Sequence, residues 1–247
     1  MKAYQVTLIF IALLQCKPDN TFAQKVILIS ANAEWKVVKE RFPSEVFQAS
    51  PWGEFFEKQI KSEKVIFFHG GWGKVAAAGS TQYCIDQWHP KYIVNLGTCG
   101  GFDGSIARFE TILVDRTVIY DIYEAMGDSD QAIHDYSTNI DLSWLQSDTT
   151  RVTKTLLVSG DRDIIPSDID HLKKTYHAIA GDWETGAIAY TCVKNKQRVL
   201  ILRGVSDLVS PGKGGEAYGN EKVFVHGTEV VMKKLLDELP DWLDKCK

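Results

Sequence analysis

The chain reads as a single α/β domain, a largely parallel sheet covered by helices on both faces. Two observations predict it. From residue 25 onward, short apolar runs alternate with helix-like stretches, the order that builds parallel strands joined by crossover helices. No internal repeat, low-complexity linker or change of composition breaks residues 24–247. With 247 residues, 45 % hydrophobic and 24 % charged, the chain can bury a sizeable core.

The first 23 residues differ from the rest. Lys2 gives a positive start, residues 6–14 are apolar except Thr7, and a polar stretch ends at Thr21-Phe22-Ala23. That order predicts a secretory signal peptide cut after Ala23, hence a secreted or periplasmic protein. The alternative, a first core strand or helix, would leave the protein cytoplasmic. Leu13-Leu14-Gln15-Cys16 hints at lipidation of Cys16, but Gln15 is large for the residue before a lipidated cysteine. No later stretch is long enough to cross a membrane, so the mature domain is not expected to touch one.

Strands are expected at Lys25–Ala31, Val65–His69, Tyr92–Gly97, Thr111–Asp115, Thr155–Ser159 and Val199–Gly204. Helices are expected at Glu34–Arg41, Lys74–Gln87, Thr185–Lys194 and Asn220–Leu239. In the last, Val223, Phe224, Val230, Val231, Leu235 and Leu239 recur at helical spacing and give one buried stripe. The polar segment Asp121–Thr149 reads as an excursion from the sheet, equally a lid, a partner contact or a solvated loop.

Several function classes fall away. Aromatic residues at 11 % and a net charge of only −4 exclude disorder. Lys and Arg are scattered, 28 against 32 acids, so a nucleic-acid footprint is missing. Cys84, Cys99, Cys192 and Cys246 form no C-x-x-C pair, and the histidines form no H-x-x-x-H pair, so neither metal nor cofactor is expected. A small molecule remains as the partner.

Two glycine clusters follow strands, Gly70-Gly71-Trp72-Gly73-Lys74 and Gly97-Thr98-Cys99-Gly100-Gly101, where an α/β sheet presents its ligand crevice. The first has Val75 where a P-loop needs Ser or Thr, and the second lacks the G-x-G-x-x-G spacing. Acids stand at the ends of three separate extended stretches: Glu34 after the first strand, Glu184 before a helix, and Asp207 after Val199–Ser206. One such acid is an ordinary helix cap. Three can share one crevice and do chemistry there.

Taken in order, these residues resemble the purine nucleoside phosphorylase and nucleosidase superfamily, most closely its 5'-methylthioadenosine/S-adenosylhomocysteine nucleosidase branch. The markers are Ala33-Glu34, Gly73–Ala78, Asn95–Gly101, Val158–Asp161, Trp183-Glu184 and Arg203–Asp207, spread over roughly residues 25–239. The resemblance implies one α/β/α sandwich around a partly closed mixed sheet, and a homodimer or larger homo-oligomer. It implies that Glu34 activates the attacking water, that Asp207 protonates purine N7 with Ser206 positioning it, and that Glu184 binds the ribose hydroxyls. Trp183 is then expected on the ribose, with Thr98, Gly100 and Ile164 on the walls of the site.

Departures matter too. Phosphorylases of the superfamily carry an arginine just before the central glycine cluster; here the stretch is Ile93-Val94-Asn95-Leu96. Water is therefore the expected nucleophile, and the expected activity is hydrolysis of a purine N-ribosyl bond, 5'-methylthioadenosine and S-adenosylhomocysteine included. A phosphate-dependent phosphorylase and a secreted nucleoside-binding or storage protein are the alternatives. Asp163 stands where the nucleosidases place an aromatic against adenine, which leaves the base preference open.

Overall fold

Along β1 (Lys25–Ile29), Val26 and Leu28 face one core cluster and Ile27 and Ile29 another; all four are fully buried. A strand covered on both faces belongs at the centre of a layered structure. The computed structural model, which describes residues 24–146 and 152–246, puts it there. The segment expected to be a signal peptide, with Cys16, lies outside the described residues.

The chain continues through α1 (Asn32–Arg41), β2 (Gln48–Ala49), β3 (Glu54–Ile60), β4 (Glu63–His69), α2 (Lys74–Trp88) and β5 (Tyr92–Phe102). Next come β6 (Thr111–Ile119), α3 (Ser129–Tyr136), β7 (Thr138–Asn139), β8 (Thr153–Ser159) and α4 (Ile169–Tyr176). The last elements are β9 (Ala180–Asp182), α5 (Thr185–Lys194), β10 (Val199–Ser210), β11 (Gly214–Gly215) and α6 (Glu221–Lys245).

β1 lies parallel between β4 and β5, and β3 and β2 extend the sheet antiparallel beyond β4. β5 also pairs with β10 in parallel and with β9 antiparallel. β9 runs parallel to β8, β8 parallel to β6, and β6 antiparallel to β10. The path β5–β9–β8–β6–β10 thus returns to β5 and closes a ring, leaving β1, β4, β3 and β2 as an open flank. Trp35 of α1 and Val231, Leu235 and Leu239 of α6 cover one face; Ala77 and Cys84 of α2 and Ile188 of α5 cover the other. This is the α/β/α sandwich with a partly closed mixed sheet. Among the described residues no helix is long and apolar enough to cross a membrane.

The structure corrects three expectations. The sheet is mixed rather than largely parallel, because the β3–β4, β5–β9 and β6–β10 pairs run antiparallel. Gly97–Gly101 is not a loop: β5 runs through it, since β10 and β9 supply partners along that stretch. The described part of Asp121–Thr149 contains α3 and β7, with Asp128 capping α3 by accepting from the Asp130 and Gln131 amides; residues 147–149 lie outside the description.

Candidate active site

Asp207 owes its position to an irregularity. Along β10, Val205 faces Cys99 and Asp207 faces Gly100, so Ser206 is an extra residue, a bulge. Neighbours in a regular strand point to opposite faces, whereas a bulge re-aims them. Ser206 and Asp207 consequently both line one cavity of about 820 Å³. The Ser206 hydroxyl donates to Asp207 Oδ1 at 2.7 Å. Burial pushes the Asp207 carboxyl up; the Ser206 bond opposes this, and the charges of Glu216 and Asp163 add to it.

Glu34 sits in the first turn of α1, where its Oε2 accepts from the Ala31 amide at 3.1 Å. Its helix-cap role is real but does not exhaust it. Oε1 reaches across to β5 and accepts from the Thr98 amide at 2.6 Å and the Thr98 hydroxyl at 2.9 Å. A carboxylate offers about four acceptor positions. Three are used, and one is left for a water in the cavity.

Arg203, fully buried in β10, ties the other acids together. Its guanidinium lies 3.1 Å from Asp182 Oδ2, 3.7 Å from Glu184 Oε2 and 3.8 Å from Glu34 Oε1. Burial opposes its charge, but Asp182, Glu34 and Glu184 outweigh that and its pKa rises. It also donates to Asn95 Oδ1 at 3.0 Å. Gly97 makes room for this: a Cβ there would overlap the guanidinium and lie 2.9 Å from Glu34 Oε1. Glu184 accepts from the Gly73 amide at 3.1 Å. Burial, eased by Arg203 but reinforced by Asp182 and Glu34, pushes its carboxyl up to about 8.

Glu34, Thr98, Gly100, Ile164, Trp183, Glu184, Ser206 and Asp207, the residues expected in the site, all line this cavity. Thr98 spends both its donors on Glu34, so it positions the acid. Trp183 meets Trp72 edge-on at 5.0 Å, and Trp72 is 55 % exposed at the mouth. In the Gly73-Lys74 turn, the Gly73 amide serves Glu184 and the Lys74 ammonium pairs with Asp121 and Asp161.

Sequence reasoning gave no role to Arg203, Asp182, Trp72, Tyr218 or Phe224. Arg203 had a signal, since a charge inside Val199-Leu200-Ile201-Leu202 and Gly204-Val205 must find partners once buried. Trp72, Tyr218 and Phe224 reach the cavity from a turn, from the segment after β11 and from α6. Phe224 belongs to the apolar stripe of the last helix and Trp72 to the first glycine cluster, but no local pattern marks either of them, or Tyr218, as part of the site.

Residues 34–239 match the phosphorylase superfamily. The chain is similar to the 5'-methylthioadenosine/S-adenosylhomocysteine nucleosidase of Tolumonas auensis, 28 % identical over 173 residues, covering 63 % of this chain and 73 % of that protein. It resembles the enzyme of that name from Staphylococcus saprophyticus at 28 % identity over 198 residues, covering 75 % and 85 %. Its fold is similar to that of a putative 5'-methylthioadenosine/S-adenosylhomocysteine nucleosidase from Francisella philomiragia. That match has a TM-score of 0.73 at 13 % identity and covers 90 % of this chain and 99 % of the other.

Proposed function

The chain belongs to the phosphorylase superfamily, and from that membership we propose that it hydrolyses the N-glycosidic bond of a purine nucleoside. One observation carries the reading. A protonatable acid (Asp207) and an acid with an open acceptor position (Glu34) share one cavity, and the buried cation beneath it is already committed to three carboxylates.

Breaking a ribosyl–purine bond leaves positive charge on the sugar and negative charge on the base. Asp207, whose carboxyl burial pushes up, is the acid placed to give a proton to N7 as the base departs. Glu184 accepts from the 2'- and 3'-hydroxyls. Burial raises its pKa in the empty site, whereas the Arg203 guanidinium, hydroxyl donors and a cationic sugar all favour the ionised form. Glu34, held by Ala31 and Thr98, takes a proton from the water that attacks the sugar. A phosphate dianion would meet these same carboxylates, with Arg203 already engaged.

The substrates in the relatives' names, 5'-methylthioadenosine and S-adenosylhomocysteine, head the panel to test alongside inosine, guanosine and adenosine. Catalytic release of free base from at least one of them is the expected result. Stoichiometric binding without release from any would contradict it.

A further inference from the structure

Three charged side chains behind the site have no part in the chemistry described so far. The Lys74 ammonium pairs with Asp121 and Asp161, which stand two residues past the ends of β6 and β8. The Asp161 amide donates to Asp121 Oδ2 at 2.8 Å, and Asp161 Oδ1 accepts from the Lys74 amide at 2.7 Å. Lys74, Asp121 and Asp161 all stand outside the cavity lining. Lys74 opens α2, so its amide is one of the donors that a helix leaves unpaired. The residue before a helix often caps such a donor with its side chain; here that residue is Gly73, which has none. Asp161 caps α2 from beyond another strand instead, and its charge suits the helix N-terminus.

This cap fixes more than a helix end. The Gly73 amide donates to Glu184 Oε1 at 3.1 Å, and the very next amide donates to Asp161. Two successive peptides are thus anchored, one to the site and one to the charged cluster. Among the described residues, the Gly73 amide is the N–H within hydrogen-bond distance of the Glu184 side chain; the Arg203 guanidinium stands farther off, at 3.7 Å. The direction of the Glu184 carboxylate, and so of the acceptor positions it has left, follows from where this turn is held. The same contact joins two parts of the cavity lining, Trp72 before the turn and Arg162-Asp163-Ile164 after Asp161.

We propose that Lys74, Asp121 and Asp161 are positioning residues: they form a clasp that holds the Gly73 amide against Glu184 and thereby sets the grip on the ribose hydroxyls, without touching the nucleoside. The proposal rests on the nucleosidase reading for the place of the sugar at Glu184. A small displacement of a group that orients substrate is costly, which is how a cluster outside the cavity acts on binding inside it.

The test compares adenosine with 2',3'-dideoxyadenosine and inosine with 2',3'-dideoxyinosine, pairs that differ only in the hydroxyls assigned to Glu184. The wild-type protein should bind the ribonucleoside of at least one pair more tightly than its dideoxy partner. Asp161→Ala should weaken that ribonucleoside by about tenfold, the size of a lost charged hydrogen bond, and its partner little. Asp161→Asn keeps an oxygen for the Lys74 amide and should recover most of the preference. Where the nucleoside is cleaved, the loss in Asp161→Ala should fall on KM more than on kcat. A cluster that served stability alone would lower the melting temperature and leave the ratio within each pair unchanged. That unchanged ratio, or a wild-type protein with no preference for ribonucleosides, would overturn the proposal. Should Asp161→Ala not fold, amide hydrogen exchange at Gly73 in Lys74→Met decides: faster exchange than in the wild type supports the clasp, and equal exchange contradicts it. If no nucleoside is cleaved, the nucleosidase reading fails, while the binding ratios still decide the role of the clasp.

Discussion

Single side chains set the chemistry, and each acid has a distinct expected failure. Asp207→Asn keeps shape but cannot deliver a proton to N7. Turnover should drop by roughly 10²- to 10⁴-fold with KM little changed. Glu34→Gln should fall by a similar factor, because an amide cannot take a proton from water. Glu184→Gln should raise KM as well as lower kcat, since it touches both sugar hydroxyls and the developing cation. If these residues were only structural, the variants would lose on the order of 1 kcal/mol of stability with turnover nearly intact. Melting temperature measured beside steady-state kinetics separates the outcomes. The extended runs beside them drew attention to all three acids, and the structure brings them to one cavity, but Asp207 sits at a bulge inside β10 and not at the strand end expected for it. Arg203 was visible as a charge in an apolar run, yet its partners come from α1, β9 and the start of α5, which no local pattern reveals.

At the scale of elements, the bulge at Ser206 and the seat of α6 on β10 hold the acid in place. Gly227 of α6 lies so close to β10 that a Cβ there would overlap the carbonyl oxygen of Ser206, a backbone atom that cannot swing away. Gly227→Ala should therefore push α6 and the bulge apart. We expect a loss of about 1–3 kcal/mol in denaturant unfolding, typical of overpacking, together with reduced turnover. Unchanged stability and kinetics would show that the seat is loose. The α6 stripe was legible in part from its spacing: Val231, Leu235 and Leu239 are buried, whereas Val223, Val230 and Phe224 are half-buried, Phe224 reaching the cavity. The ends of β5 and β10 were not. Their continuation through glycines depends on pairing between residues more than 100 positions apart, such as Val205 with Cys99. β9, three residues long, exists only because β5 and β8 flank it.

For the whole molecule, ring closure gathers acids into one buried place, and that has a pH signature. Burial pushes the Glu184 carboxyl up to about 8 from an ordinary 4.5 and raises that of Asp207 as well. The folded state thus binds protons that the unfolded chain releases. The stabilisation is fully present below the unfolded values and is lost as pH rises through the folded ones. The melting temperature of the ligand-free protein should decline from about pH 5 to about pH 8 through this pair, and Glu184→Gln should flatten the decline. Identical slopes in the two proteins would contradict the assignment. Closure was expected from the family resemblance and from no local pattern, since it requires β5 to pair with β1, β9 and β10 at different points along its length. The central claim is that water, activated by Glu34, attacks the sugar, and its most direct test is the product formed under excess phosphate. A purine nucleoside that the protein cleaves is incubated with increasing inorganic phosphate while phosphorus NMR follows the sugar. The account predicts free sugar only and a rate of base release independent of phosphate; ribose 1-phosphate appearing in step with the base, at a rate that rises with phosphate, would contradict it.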